Sequence, residues 1–222
     1  MELKTYVSLD ELYDLYVESG TKPPDWLTKM VSKQTDMRIE GVALDQEAVA
    51  CGIPSLFIAA EPDYDMLDAL DGGGGLYISG VQGAGKTWLA ARVTKAWLSC
   101  GRGKARFISS VRLLSEISDS YSSRTEGESQ VIGRYTSCAL LVIDDLGKEV
   151  PSQWALSRLF AIVDDRYANK RPTIVTTQFT PDALARRMSK SGDNETAMAI
   201  VSRFRERYAS VALGNVDRRA GM

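Results

Sequence analysis

Eight residues, Gly80-Val81-Gln82-Gly83-Ala84-Gly85-Lys86-Thr87, constrain the fold of this chain more than any other feature. They fit the pattern G-x-x-x-x-G-K-[ST]. They also stand between a short apolar run (76–79) and an amphipathic stretch (86–99), the strand–loop–helix context that the pattern requires. The glycines let the backbone curl until successive N–H groups point into one concavity, and the start of the helix adds partial positive charge there. Such a loop cradles phosphate. Lys86 is placed to reach the β- and γ-phosphates of a nucleotide, and Thr87 to hold Mg²⁺ through its hydroxyl. Residues 80–88, with Trp88 just beyond the threonine, are therefore the expected nucleotide contacts.

From residue 76 onward, short apolar runs alternate with amphipathic stretches, the signature of βαβ units and a parallel sheet. Strands are expected at 76–79, 105–109, 139–143, 173–177 and 210–213. Helices are expected at 86–99, 111–121, 129–135, 152–167, 181–189 and 195–207. The run Ala139-Leu140-Leu141-Val142-Ile143 ends in Asp144-Asp145, the layout of a Walker B strand, whose first carboxylate serves the magnesium shell. Asp144 takes that part, and Asp145 occupies the position from which a carboxylate polarises an attacking water. Thr173-Ile174-Val175-Thr176-Thr177 ends in Gln178, a polar tip able to sense a γ-phosphate or orient water. On the last helix, Ser202-Arg203-Phe204-Arg205-Glu206-Arg207 puts Arg203 and Arg207 on one face. That face is either a solvated basic surface or the source of an arginine finger for a neighbouring subunit's nucleotide.

Composition closes off other chemistries. The 222 residues include no histidine and three scattered cysteines, Cys51, Cys100 and Cys138, without a C-x-x-C pair. Nucleophilic sites built on His, zinc sites with a His ligand and a disulfide framework are all excluded. The start, Met1-Glu2-Leu3-Lys4-Thr5, shows no basic-then-apolar leader, and no run approaches 18 apolar residues. A soluble cytoplasmic protein with no membrane contact is expected.

The net charge of −2 hides an asymmetry. Up to Asp71 there are 15 acidic and 5 basic residues; from Gly72 onward there are 14 acidic and 22 basic. The change falls at the glycine run 72–75. Two readings remain open: solvated surfaces, or two halves with different partners, nucleic acid being the natural one for the basic half. The front segment reads as helical, with a capping box from Ser8 to Glu11, apolar residues Leu9, Tyr13 and Tyr16, and a stop at Gly20. Pro23-Pro24 precedes a second short helix from Asp25, and a third is expected at 45–51.

The phosphate loop, the run Leu140-Leu141-Val142-Ile143-Asp144-Asp145-Leu146-Gly147, the strand ending Thr176-Thr177-Gln178 and Ser202-Arg203-Phe204 together resemble the ATPase core of the DnaC/IstB family, in the AAA+ initiator group. Cys51-Gly52-Ile53-Pro54-Ser55-Leu56-Phe57 is similar to the family's entry segment, which lies against the nucleotide base. The resemblance implies a P-loop AAA+ (ASCE) core with a five-stranded parallel sheet in the order 5-1-4-3-2 and no C-terminal helical lid. It further implies ATP and Mg²⁺ at a subunit interface, with Arg203 acting in trans. The work implied is loading of a replicative helicase onto single-stranded DNA, or service to a transposase as an ATP-dependent helper. Three departures stand out: Gln178 replaces the usual Asn, the front segment lacks the zinc-binding cysteines of some loaders, and the tail 214–219 is offset by one residue.

The resulting organisation is an acidic helical partner-docking segment (1–50), a linker and base-contacting entry segment (51–75) and the ATPase core (76–222). Lys104, Arg106 and Arg112 are candidate phosphate contacts for single-stranded DNA. A slowly hydrolysing ATP-dependent switch is the other class of function in play, suggested by Asp at 145, where most AAA+ enzymes carry Glu. A P-loop kinase is a weaker third reading, from Asp165-Arg166-Tyr167.

Overall fold

The computed structural model describes residues 9–123 and 125–214, and the chain forms two compact units, 1–46 and 47–222. In the first, α1 (Leu9–Glu18) ends at Gly20, whose φ is +71°. Thr21 N–H donates to Tyr16 O and Gly20 N–H to Val17 O, the paired bonds of a Schellman stop. Ser8, half of the expected capping box, lies outside the described residues. After Pro23-Pro24 the chain enters α2 (Asp25–Cys51). Here the two short helices expected from the sequence are one helix of 27 residues. The stretch between them holds no proline, and the single Gly41 costs about 1 kcal/mol of helix propensity but keeps its N–H.

In the second unit the sheet is five-stranded and parallel throughout, in the order β2-β3-β4-β1-β5, the order that the family resemblance implies. The strands are β1 (Gly75–Ser79), β2 (Ala105–Ser109), β3 (Leu140–Asp144), β4 (Thr173–Thr177) and β5 (Tyr208–Ala212). Between them run α3 (Lys86–Ser99), α4 (Ser110–Asp119), α5 (Glu128–Ser137), α6 (Gln153–Ala168), α7 (Pro181–Met188) and α8 (Asn194–Arg207). The strands alternate with period two between two cores. Leu76, Ile78, Leu140, Val142 and Ile174 join α3 on one face. Tyr77, Leu141, Ile143 and Val175 join α4 to α8 on the other. Caps start the helices as their sequences suggest: Ser109, Ser152, Thr180 and Asp193 each accept a backbone N–H from the first turn.

β5 begins two residues earlier than the sequence pattern indicates. Its first residue, Tyr208, stands opposite Gly75 and fills the space where a Cβ on that glycine would lie 2.7 Å from the ring. α8 therefore passes into β5 with no loop between them. Immediately after β5, Leu213 N–H donates to Ser79 O at 2.8 Å, at the threshold of the phosphate loop.

The entry segment is fixed to this scaffold. Gly52 has a φ of +102°, and a Cβ there would meet Phe107 O at 2.4 Å, so only glycine fits. Lys95 Nζ donates to Ile58 O, and Arg92 pairs with Asp63 at 2.9 Å. Asp71 pairs with Arg102. The acidic run before the glycines is thus bound to the basic side chains after it.

One buried cation holds the far end of the sheet. Arg166, on α6, has no exposed surface. Its Nε donates to Thr173 Oγ1, Nη1 to the carbonyls of Tyr135, Thr136 and Cys138, and Nη2 to those of Pro172 and Ala139. Burial pulls its guanidinium below the ordinary value, with Cys138 and Tyr208 opposing. Inside the fold it takes no part in any surface substrate site, so the kinase reading of Asp165-Arg166-Tyr167 loses its basis. Among the described residues no helix is long and apolar enough to cross a membrane.

A candidate nucleotide site at the carboxyl edge of the sheet

β1 ends at Ser79, and the loop that follows turns through Gly83 and Gly85, at φ +81° and +92°, before α3 begins. Side chains seldom adopt these angles, which is why glycines stand there. Lys86 is nearly buried, and its Nζ donates to Gly80 O and Val81 O, both at 2.9 Å. The ammonium thus stands at the mouth of the loop. Ala84 is buried beneath the loop, while Val81 is exposed.

The parallel register brings the Walker B end of β3 beside this loop. Thr87 Oγ1 donates to Asp144 Oδ1 at 3.0 Å. Thr176 Oγ1, from β4, also donates to Asp144 and accepts from Asp145 N–H at 2.9 Å. Burial pushes the Asp144 carboxyl above its ordinary value, the hydrogen bonds from Thr176 and Thr87 opposing and the Asp145 charge adding to the rise. A buried carboxylate bonded to hydroxyls alone, with a threonine Oγ at its side, is an all-oxygen donor set of the kind magnesium prefers. Thr87 and Asp144 fit that ion.

The raised value makes a prediction for the ligand-free protein. The folded state holds the Asp144 proton more tightly than the unfolded chain does. This group therefore favours folding fully below the ordinary carboxylate value and loses that contribution as pH rises through its elevated one. At neutral pH the ionised carboxylate is a cost. Asp144→Asn is expected to raise the ligand-free Tm at neutral pH. The gain should shrink as pH falls into the carboxylate range, which scanning calorimetry of both proteins checks.

Asp145 begins the turn that leaves β3. Its φ is +57°, in the left-handed region that costs a non-glycine residue about 1–2 kcal/mol. The surrounding bonds impose it. Besides the Thr176 bond on its N–H, its carbonyl accepts from Ser110 Oγ at 3.1 Å and from Lys148 N–H at 3.2 Å. Lys148 Nζ reaches back to Asp145 Oδ2 at 2.7 Å. The buried Glu149 carboxylate accepts from Gly147 N–H and Ser110 Oγ, and Arg187 donates to Gly147 O and Glu149 O.

These elements enclose a cleft of about 490 Å³. Gln82, Gly83, Gly85, Lys86, Thr87 and Trp88 line one side, Asp145, Lys148 and Gln178 the other, and Leu56 and Phe57 of the entry segment complete the wall. The structure thus gathers Gln82, Gly83, Gly85, Lys86, Thr87, Trp88, Asp145 and Gln178 around one space and ties Asp144 to it through Thr87, whereas Gly80, Val81 and Ala84 are not among the lining residues. Arg203 lies elsewhere. Its Nε donates to Asp164 Oδ1 on α6 at 2.8 Å, and its guanidinium lies 4.9 Å from the ring centre of Phe160 and 5.4 Å from that of Tyr167. Of the candidate DNA contacts, Arg112 has a 78% exposed side chain beside Glu116, and Arg106 lies over the Tyr135 ring.

Sequence reasoning missed Thr176, Lys148, Glu149 and Ser110. Thr176 had a partial signal, as one of three hydroxyl residues in a five-residue strand whose other members are Ile174 and Val175. Lys148 and Glu149 had none beyond their nearness to the acidic pair, since their roles depend on how the turn folds back.

Comparison with known proteins agrees with this geometry. A family model described as IstB-like ATP binding protein matches residues 64–220. The replicative helicase loader DnaC of Escherichia coli (strain K12) is 34% identical over 100 residues, 45% of this chain and 40% of that protein; the alignment therefore spans well under half of that relative. Among solved structures, the DnaC helicase loader matches with a TM-score of 0.57 and 22% identity, over 72% of this chain and all of that one. DnaI matches at 0.56 and 22%, over 80% and 85%. The replication initiator DnaA bound to AMPPCP and single-stranded DNA matches at 0.57 and 16%, over 74% and 52%. With the phosphate loop and the Walker B acids brought together at the carboxyl edge of a 5-1-4-3-2 sheet, and the family match covering most of the chain, this protein belongs to the family of IstB-like ATP-binding proteins.

Proposed function

We propose that this chain binds and hydrolyses Mg-ATP as a cytoplasmic helicase-loader ATPase, assisting a replicative helicase onto single-stranded DNA. The observation that carries the reading is the convergence of Lys86, the Thr87–Asp144 pair and Asp145 on one cleft. The loop N–H groups of residues 80–87 and the Lys86 ammonium hold the phosphates. Leu56, Phe57 and Trp88 flank the base. Thr87 and Asp144 hold magnesium, which supplies positive charge against the phosphate oxygens. Asp145 takes the proton of the attacking water, and Gln178 orients that water against the γ-phosphate. Among the described residues no arginine lines the cleft, which supports Arg203 of a neighbouring copy completing it in trans.

The reading predicts complementation. Arg203→Ala keeps a whole cleft but offers no finger, while Asp145→Asn offers the finger from a dead cleft. Each variant alone should turn over little ATP, and an equimolar mixture should regain turnover when single-stranded DNA and ATP drive assembly. A native protein that stays monomeric at full turnover would remove Arg203 from the mechanism. Lys104, Arg106 and Arg112 are the proposed phosphate contacts for DNA, and the acidic front unit the docking module for the helicase. Grafting that unit onto another loader should carry partner choice with it.

Service to a transposase is the second reading, favoured by the IstB-like family match. Co-purification separates the two, by whether a hexameric helicase or a transposase is recovered. A slow, switch-like turnover is favoured by the Lys148–Asp145 pair.

A further inference from the structure

That pair has a specific consequence for the reaction, resting on the reading that Asp145 takes the water proton. Both side chains line the cleft, and Lys148 Nζ lies 2.7 Å from Asp145 Oδ2. Lysines on surface loops usually sample many positions, but this turn is held at several points. Lys148 N–H closes it onto Asp145 O. Gly147, one residue earlier, is fixed by the Glu149 carboxylate on its N–H and by Arg187 on its carbonyl. Asp145 is fixed through its N–H by Thr176 and through its carbonyl by Ser110. With both backbones restrained, the ammonium and the carboxylate face each other as a built feature of the turn.

We infer that Lys148 is a positioning residue that restrains hydrolysis by occupying the carboxylate of Asp145. A carboxylate oxygen that accepts from an ammonium is a weaker acceptor for water, and freeing it requires the pair to open first. The side chains are 47% and 29% exposed, so the attraction is screened and its worth is that of a partly exposed ion pair. Removing it should speed turnover by roughly two- to fivefold, the factor equivalent to about 0.4–1 kcal/mol. The competing role for a lysine in this cleft is a phosphate ligand like Lys86, and the two roles differ in what they do to affinity.

The test compares the native chain with Lys148→Ala, Lys148→Arg, Asp145→Asn and the Lys148→Ala/Asp145→Asn double variant. Steady-state turnover gives kcat and KM, and calorimetry gives ATP affinity. Lys148→Ala should raise kcat by about two- to fivefold while KM and the ATP Kd stay within about twofold. Lys148→Arg, which keeps the cation, should return kcat to the native value, and the gain should disappear in the Asp145→Asn background. An unchanged or lowered kcat overturns the inference. So does a Kd weakened by about tenfold, which would make Lys148 a phosphate ligand, or a gain that survives Asp145→Asn. Asp145→Asn alone separates this failure from that of the underlying reading. If it keeps native turnover, Asp145 is not the water's base. If it abolishes turnover while Lys148→Ala stays at the native rate, only the restraint is lost.

Discussion

Lys86→Met is expected to bind ATP about 100-fold or more weakly than the native chain, with its fold intact. The side chain is nearly buried at the mouth of the loop, and its ammonium donates to Gly80 O and Val81 O. It therefore needs little reorganisation to meet phosphate oxygens, and little ordering entropy is lost on binding. Hydrogen bonds from a full charge to phosphate contribute about 1.5–3 kcal/mol each, and a loss of about 2.7 kcal/mol corresponds to 100-fold in Kd. Methionine keeps the aliphatic stem but carries no charge and no donor. Calorimetric titration with ATP measures the effect, and the fluorescence of Trp88, which lines the cleft, offers a second readout. A Kd within about threefold of native would remove Lys86 from the proposed phosphate site.

Arg166→Met is expected to be the most destabilising single change in the second unit, at on the order of 3–5 kcal/mol. Five backbone carbonyls and the Thr173 hydroxyl receive its N–H groups inside the fold. Removing the guanidinium leaves acceptors from the end of α5, the α5–β3 connection and the start of β4 without their shared donor. Since domains of this kind are stable by only about 5–15 kcal/mol, the variant should show a much lower denaturation midpoint and poor recovery on expression. Arg166→Lys should recover only part of the loss, because one ammonium cannot span the carbonyls of residues 135–139 and that of Pro172 together. A variant as stable as the native chain would mean that these carbonyls find other donors.

The two forecasts differ in how legible their residues are. Lys86, Thr87, Asp144 and Asp145 could be read directly, because a phosphate loop and a strand ending in acids are local patterns whose chemistry dictates residue types at fixed spacing. The strand order came with the family resemblance. Arg166 could not be read so, because its acceptors come from two distant connections that only the folded sheet brings together. The same holds for Lys148, whose partner depends on a left-handed residue at Asp145. The early start of β5 depends on Tyr208 finding Gly75, a contact across the sheet. The continuity of α2 was hidden because residues 31–44 show no strong apolar periodicity, and a helix without that signal looks like a connection.

Charge misled in an instructive way. The sign change in the sequence falls at Gly72, yet the compact units divide after Gln46. Asp63 and Asp71, counted with the acidic front, are bound to Arg92 and Arg102 of the core. Residues 1–46 carry nine acids and five bases, a milder imbalance than the sequence division suggested.

The direct passage from α8 into β5 gives the molecule a mechanical property. α8 carries Arg203, β5 runs parallel to β1 along five residues, and β1 ends in the phosphate loop. No loop separates helix from strand, so α8, β5 and the phosphate loop are linked by the chain and by the β1–β5 pairing. A displacement of α8 would reach β5 directly and, through the β5–β1 pairing and the Leu213–Ser79 bond, the base of the phosphate loop. The helix and the phosphate loop are therefore coupled through the sheet as well as through the chain.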